Sequence, residues 1–304
     1  MTSPARWAGR AAGAAVLVVL VMRFGREPFR HGLVSVGPAA LAVALAVGAL
    51  TTLACAWRWR LVARHLGLEL PWGVSFAACY RAALLNASLP GGVLGDVHRA
   101  VDRGRHTRAT GLAVRTVAWE RGLGQLVQVV VALLLLRLWI AALAAAVLLV
   151  AVLARFRPVA AGIVVASLVA VAGYAFMFMV AAAATGTRPP LSVVLLVLLA
   201  AAVPLNLGGW GPREGAAAGA FAAVGLGAEH GLAASVAYGV MALVSTLPGL
   251  LVLLLPRLTR GTDRPVPETP EVAVQRHRAR QHGVGKLRHG SPPASPGRVG
   301  LYLG

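Results

Sequence analysis

From Ala39 to Trp57 the chain runs without one charged side chain, and uncharged apolar stretches recur at Val159 to Ala184 and Gly231 to Leu255. A helix of about 18 or more such residues can cross the roughly 30 Å hydrocarbon core of a bilayer. Inside hydrocarbon each backbone N–H and C=O has to be satisfied within the segment, which a helix achieves. Composition agrees: 13% of the residues are charged and 58% apolar, whereas soluble domains carry about 25% charged residues. The fold class expected is all-α, a polytopic membrane protein.

Two places interrupt the apolar pattern. Asn86-Ala87-Ser88-Leu89-Pro90-Gly91-Gly92 leads into Asp96 and Arg99, an acid and a base three residues apart. They are neighbours on one face of any helix that restarts there. Pro204 to Glu214 repeats the recipe with Asn206, Gly208-Gly209 and the adjacent pair Arg213-Glu214. A helix does not continue through Pro-Gly-Gly, and two broken apolar segments at matching places in two halves point to a transport site. The spans read around them are an N-terminal anchor ending at Met22, then 39–57, 117–136, 138–154, 159–184 and 231–255. Segments 72–95 and 191–227 are expected to enter the membrane and return. That makes about 6 full spans plus two re-entrant broken helices, or about 8 spans. The order span, span, re-entrant segment, span occurs twice with opposite sense, an inverted repeat with halves at about 7–136 and 138–255. Residues 1–260 form this domain, and 261–304 read as a disordered basic cytoplasmic tail.

Net charge is +19. A basic chain can bind nucleic acid, but these arginines sit between apolar runs and in the tail. The expected partner of the basic loops and tail is an anionic lipid surface, with no nucleic acid. Placing the N-terminus, 57–71, 96–116 and 155–158 inside puts twelve arginines there against five outside, before the tail is counted. By the positive-inside rule both termini are cytoplasmic, in a multi-pass protein of the cell (plasma) membrane, with 96–116 a basic loop on the same side. Cys55 and Cys79 lie in apolar segments, and the histidines form no HxxxH or HExxH pattern. No metal or cofactor is expected from these residues.

Six charged residues, Asp96, Arg99, Glu120, Arg121, Arg213 and Glu214, lie in or beside apolar segments. At mid-bilayer each costs about 2.5–3.5 kcal/mol, on the order of 15–20 kcal/mol if all faced lipid. They have to pair, line a wet cavity or sit near an interface, so they serve either as ion pairs locking helices or as a substrate path. Adjacent helical residues face different ways. Glu120 and Arg121, and likewise Arg213 and Glu214, should therefore find partners on other segments. One shared cluster is expected, with Asp96 approaching Arg213. Arg121, Gln125 and Gln128 fall on one stripe at helical spacing, and Ser235, Tyr238 and Ser245 on a weaker one. Gly91-Gly92 and Gly208-Gly209 are tight turns, or else bare backbone N–H groups for a phosphate. Asn86 and Asn206 either cap broken helix ends or bind a head group.

The motifs N-x-x-LPGG-x-x-GD-x-x-R (Asn86 to Arg99), ER (Glu120-Arg121) and GGWGPRE (Gly208 to Glu214), preceded by RWR (Arg58 to Arg60), resemble the lysylphosphatidylglycerol synthase transmembrane, or flippase-like, family. The resemblance covers roughly residues 10 to 255. That family includes the membrane half of a bifunctional synthase/flippase associated with moving aminoacylated phospholipid between leaflets. The resemblance implies a translocation unit without the aminoacyl-transfer domain, not an enzyme, and a function for Asp96, Arg99, Arg121 and Glu214. Lipid translocation with a membrane lipid as substrate is the expected function. The alternatives are a membrane-embedded enzyme acting on a lipid phosphate, or a scaffold or regulator of envelope lipid synthesis. The arginines suit a phosphate and the acids an amine, which together suit a zwitterionic or aminoacylated head group.

Overall fold

Prolines and glycines set the helix boundaries. In the computed structural model, which describes residues 18–89, 92–202 and 211–254, residues 18–24 are helical and eleven further α-helices follow. Helix α1 spans Glu27–Val34 and α2 Pro38–His65. Pro38 opens α2 at the first helical position, where its fixed φ is pre-organised and its missing N–H is not needed. Helix α3 (Trp72–Ser88) stops at Leu89, which is extended (ψ 145°) because the residue before a proline is pushed out of the helical region. Then come α4 (Leu94–Thr107), α5 (Thr110–Leu135) and α6 (Trp139–Leu153). A 3₁₀ segment, Ala154–Val159, carries Pro158 and a non-helical Phe156 (φ −116°, ψ 24°). It is followed by α7 (Ala160–Ala184), α8 (Leu191–Ala201), α9 (Pro212–Ala223), α10 (Ala228–Thr246) and α11 (Pro248–Leu254). No strand occurs among the described residues.

Four helical stretches are long and apolar enough to cross a membrane: Pro38–His65, Thr110–Leu135, Trp139–Ala184 and Ala228–Leu254. The third is 46 residues long and bends at the 3₁₀ segment, so it covers both 138–154 and 159–184 of the sequence reading. The sixth expected span lies mostly in residues 1–17, outside the described residues, as does the tail at 261–304. Helix α6 buries only Ala142 and exposes apolar side chains such as Ile140 (88%), the surface of a helix that faces lipid.

The stretch 96–116 is not a basic loop. Residues 94–107 are α4, an amphipathic helix that packs against both α3 and α5, and it turns Asp96 and Arg99 inward. A strongly one-sided helix places charges both inside and outside, and a count of arginines per segment misses that. Helix α3 packs on α4 as a hairpin within 72–107, and α8 packs on α9. In that hairpin a Cβ on Gly95 would collide with the Ala82 carbonyl, so the two backbones touch.

Contacts close two quartets in the same way. Helix α3 packs on α2 and α4, and α5 on α4 and α2; α8 packs on α7 and α9, and α10 on α9 and α7. Of two apolar cores, one lies within the first quartet, and the other centres on the second quartet but takes in Ala44 of α2 and Ala132 of α5. One gathers Trp59, Cys79, Ala100 and Val117. The other gathers Phe178, Phe221, Tyr238 and Met241. Helix α2 lies along α7 and joins the two, with the Thr51 side chain against Gly173 and that of Leu61 against Gly162.

Candidate functional site

Between the two apolar cores is a polar cavity of about 320 Å³. Helices α2, α3, α4, α5, α7 and α10 all contribute to its wall, so both quartets face it. Its charged lining is Arg58, Asp96, Arg99, Glu120 and Arg121.

Glu120, on α5 and 2% exposed, sits at the centre of the network. Arg58 of α2 donates to Glu120 Oε1 from Nε (3.0 Å) and Nη2 (2.5 Å). Arg99 of α4 donates from Nη2 to Glu120 Oε2 (2.5 Å) and pairs with Asp96 Oδ1 (2.8 Å). Arg121, one residue on from Glu120, turns to a different face and donates to Asp96 Oδ2. Glu120 and Arg121 thus find partners on other segments, as helical spacing requires. Arg58 also donates to Ser167 of α7 (3.1 Å), a link from this network into the second quartet. Arg99 lies over the Trp59 ring, with its Cζ 4.8 Å from the centroid.

Asn86 resolves to a cap. Its Oδ1 accepts the Gly95 N–H (2.8 Å) at the start of α4, and its Nδ2 donates to Asp96 Oδ2 (2.8 Å). The side chain satisfies one of the orphan donors of a helix start. Gly92 has φ +60° and offers its carbonyl to Arg121 (3.4 Å). The first turn of α4 is therefore occupied from within, since the Asp96 N–H also bonds the Val93 carbonyl (3.1 Å). Gly91, Asn206, Gly208 and Gly209 lie outside the described residues.

Arg213 and Glu214 form a second cluster on α9. Arg213 donates to its own neighbour, Nε to Glu214 Oε1 at 3.0 Å and Nη2 at 2.5 Å, and to Ser235 Oγ at 3.0 Å. Ser235 of α10 also donates to Glu214 Oε1 (3.2 Å), so both residues have the expected partner on another segment, and in addition they pair with each other. Glu214 is the third residue of α9 and folds back so that its Oε2 accepts the Gly211 N–H (2.7 Å). That places Oε1 beside the N-terminal turn, where Arg213 reaches it. The expected Asp96–Arg213 approach is corrected: Asp96 is held by Arg99, Arg121 and Asn86. The two clusters meet through Tyr238, which lines the cavity and carries the Arg213 guanidinium 5.1 Å from its ring centroid.

The stripe Arg121, Gln125, Gln128 lies wholly on the cavity wall, and Tyr238 and Ser245 of the second stripe lie there too. Arg58 is the functional candidate that the sequence reading missed. It was counted as a loop charge, yet it is 8% exposed in the last third of α2. The signal was present in Thr51, Cys55 and Arg58, one helical face at spacings of four and three residues. Gly124 makes room for it, because a Cβ there would come within 2.6 Å of the Arg58 Cζ. Among the described residues no cluster of side chains has the make-up of a metal site.

Residues 6–163, just over half of the chain, match the family described as Lysylphosphatidylglycerol synthase TM region. The match takes in Arg58, Asn86, Asp96, Arg99, Glu120 and Arg121 and ends in the first turn of α7, short of the Arg213–Glu214 cluster. No curated protein and no solved structure matches the chain. With its apolar helices, its charged cavity and this match, the chain is a multi-pass membrane protein that belongs to the lysylphosphatidylglycerol synthase TM region family.

Proposed function

We propose that the protein moves a lipid head group across the membrane through this cavity while the acyl chains stay in the bilayer. The observation that carries the reading is a charged cavity of about 320 Å³ enclosed by helices of both quartets. Charge inside a bilayer is expensive, and it marks substrate paths when it lines a cavity. The matching contact pattern of the two quartets supports alternation of one against the other. Translocation is favoured over lipid-phosphate chemistry because Asp96 and Glu120 are both turned to protein partners, in ion pairs with Arg58, Arg99 and Arg121. A general base has to be positioned to reach a proton of its substrate, not committed to the protein's own cations.

Leaflet exchange of an acyl-labelled phospholipid in vesicles, read by access of a membrane-impermeant quencher, tests this. Purified protein should accelerate exchange over protein-free vesicles. Asp96→Asn, which keeps the shape and removes the charge shared by Arg99 and Arg121, should slow exchange at least tenfold in protein that still unfolds cooperatively. Exchange by wild-type protein no faster than in empty vesicles would end the proposal.

The termini lie in the cytoplasm of a cell-membrane protein in this reading, with the exposed end of α4 on the same side. A membrane-impermeant thiol reagent should label Arg105→Cys only in opened cells, since residue 105 is exposed. Labelling in intact cells would reverse the orientation.

A further inference from the structure

We propose that the cavity selects a net-anionic, phosphate-bearing lipid head group and discriminates against zwitterionic and aminoacylated ones. This rests on the cavity being a lipid head-group site. Mixed charge in the sequence suits an amine as well as a phosphate, but the hydrogen bonds remove that symmetry. Glu120 Oε1 takes two N–H groups of Arg58, and Oε2 takes one of Arg99. Asp96 Oδ1 faces Arg99, and Oδ2 takes Asn86 and Arg121. An incoming ammonium would have to share Glu120 Oε2 or Asp96 Oδ1 with the Arg99 guanidinium, or displace a guanidinium from the other two oxygens.

The donors are in surplus. A guanidinium carries five N–H groups, and Arg121 bonds only through Nη2 among the described residues. Its side chain lines the cavity with 37% of its surface exposed, the most open of the five charged groups there. Arg99 Nε is buried with no acceptor among the described residues. Three guanidiniums face two carboxylates in the wall. A phosphodiester neutralises the remaining positive charge, and the planar fork of an arginine matches its oxygens. A cationic head group would add to that charge in a site of low dielectric.

Equilibrium binding to purified full-length protein in neutral detergent tests this without requiring transport, so its outcome is separate from the exchange assay. The probes are dihexanoyl phosphatidylglycerol, dihexanoyl phosphatidylcholine, the lysyl ester of dihexanoyl phosphatidylglycerol, and glycerol 1-phosphate, each titrated calorimetrically. Phosphatidylglycerol should bind at least tenfold more tightly than the choline and lysyl lipids. Arg121→Gln should erase that preference and Arg121→Lys should keep most of it. Equal or tighter binding of either amine-bearing lipid by wild-type protein overturns the proposal, a comparison that needs no variant. An unchanged preference in folded Arg121→Gln, or no binding by any probe, overturns it too. Glycerol 1-phosphate binding as tightly as the lipid would overturn the lipid source and assign a free phosphate ester instead.

Discussion

Glu120→Gln is expected to lower stability by about 3–5 kcal/mol, because removing one partner of a buried ion pair strands the other. Here two are stranded. Arg58 and Arg99 approach the same carboxylate from opposite helices and are 8% and 4% exposed. Without the charge between them, Arg99 retains Asp96, whereas Arg58 retains only Ser167 and the weak sulfur contact of Cys55. The glutamine amide keeps the shape, so the loss measures charge and not packing. Thermal unfolding of purified protein checks it, and a loss under about 1 kcal/mol would show that the network contributes little. Arg58→Gln combined with Glu120→Gln should be less damaging than the two single losses added, since residues in one network couple. Strict additivity would mean that the two do not interact.

The second large effect is expected at Gly95. This residue lets α4 touch α3, and any side chain there meets the backbone of Ala82, which cannot rotate away. Overpacking costs about 1–3 kcal/mol, and more where a backbone is the obstacle. Gly95→Ala should therefore approach or exceed the upper end of that range. It should also abolish leaflet exchange, because pushing α4 off α3 separates Asn86 from Gly95 and Asp96. Gly111→Ala, at a helical position where a Cβ meets nothing within 4 Å, is the control and should be near neutral. Equal stability of the two variants would show that the hairpin yields freely.

Apolar runs and their punctuation were legible in the sequence because hydrocarbon permits few alternatives to a helix, and Pro90 and the glycines leave few places to end one. The polar stripe of α5 was legible for the same reason: Arg121, Gln125 and Gln128 share a face at helical spacing and cannot face lipid. Arg58 was not, because it stands beside Arg60 in a motif that resembles an interfacial anchor. Its face with Thr51 and Cys55 was the available sign, and its partners, Glu120 at 62 residues' distance and Ser167 at 109, lie on other helices. Arg60 stays near the surface, stacked on Trp72 at 4.1 Å. The Arg213–Glu214 pairing was hidden because spacing rules hold along a helix body, whereas a first-turn side chain can fold back over the helix end. The arginine count that set the orientation included Arg58 and Arg99, both of which lie in the cavity wall.

The polar cavity makes a local plane of weakness between two cores, flanked by an apolar cluster of Val62, Leu123, Phe156 and Ile163 that bridges the quartets. Sliding helices within either core would expose apolar surface, at about 25 cal/mol for each Å². Groups along the cavity can instead trade a protein partner for water, at a net of about 0.5–1.5 kcal/mol per hydrogen bond, and the cavity has room for on the order of ten waters. By that comparison, rearrangement along the cavity costs less than rearrangement within the core of Trp59 or that of Phe178. The seam of α2 on α7 joins the two quartets beside that cavity.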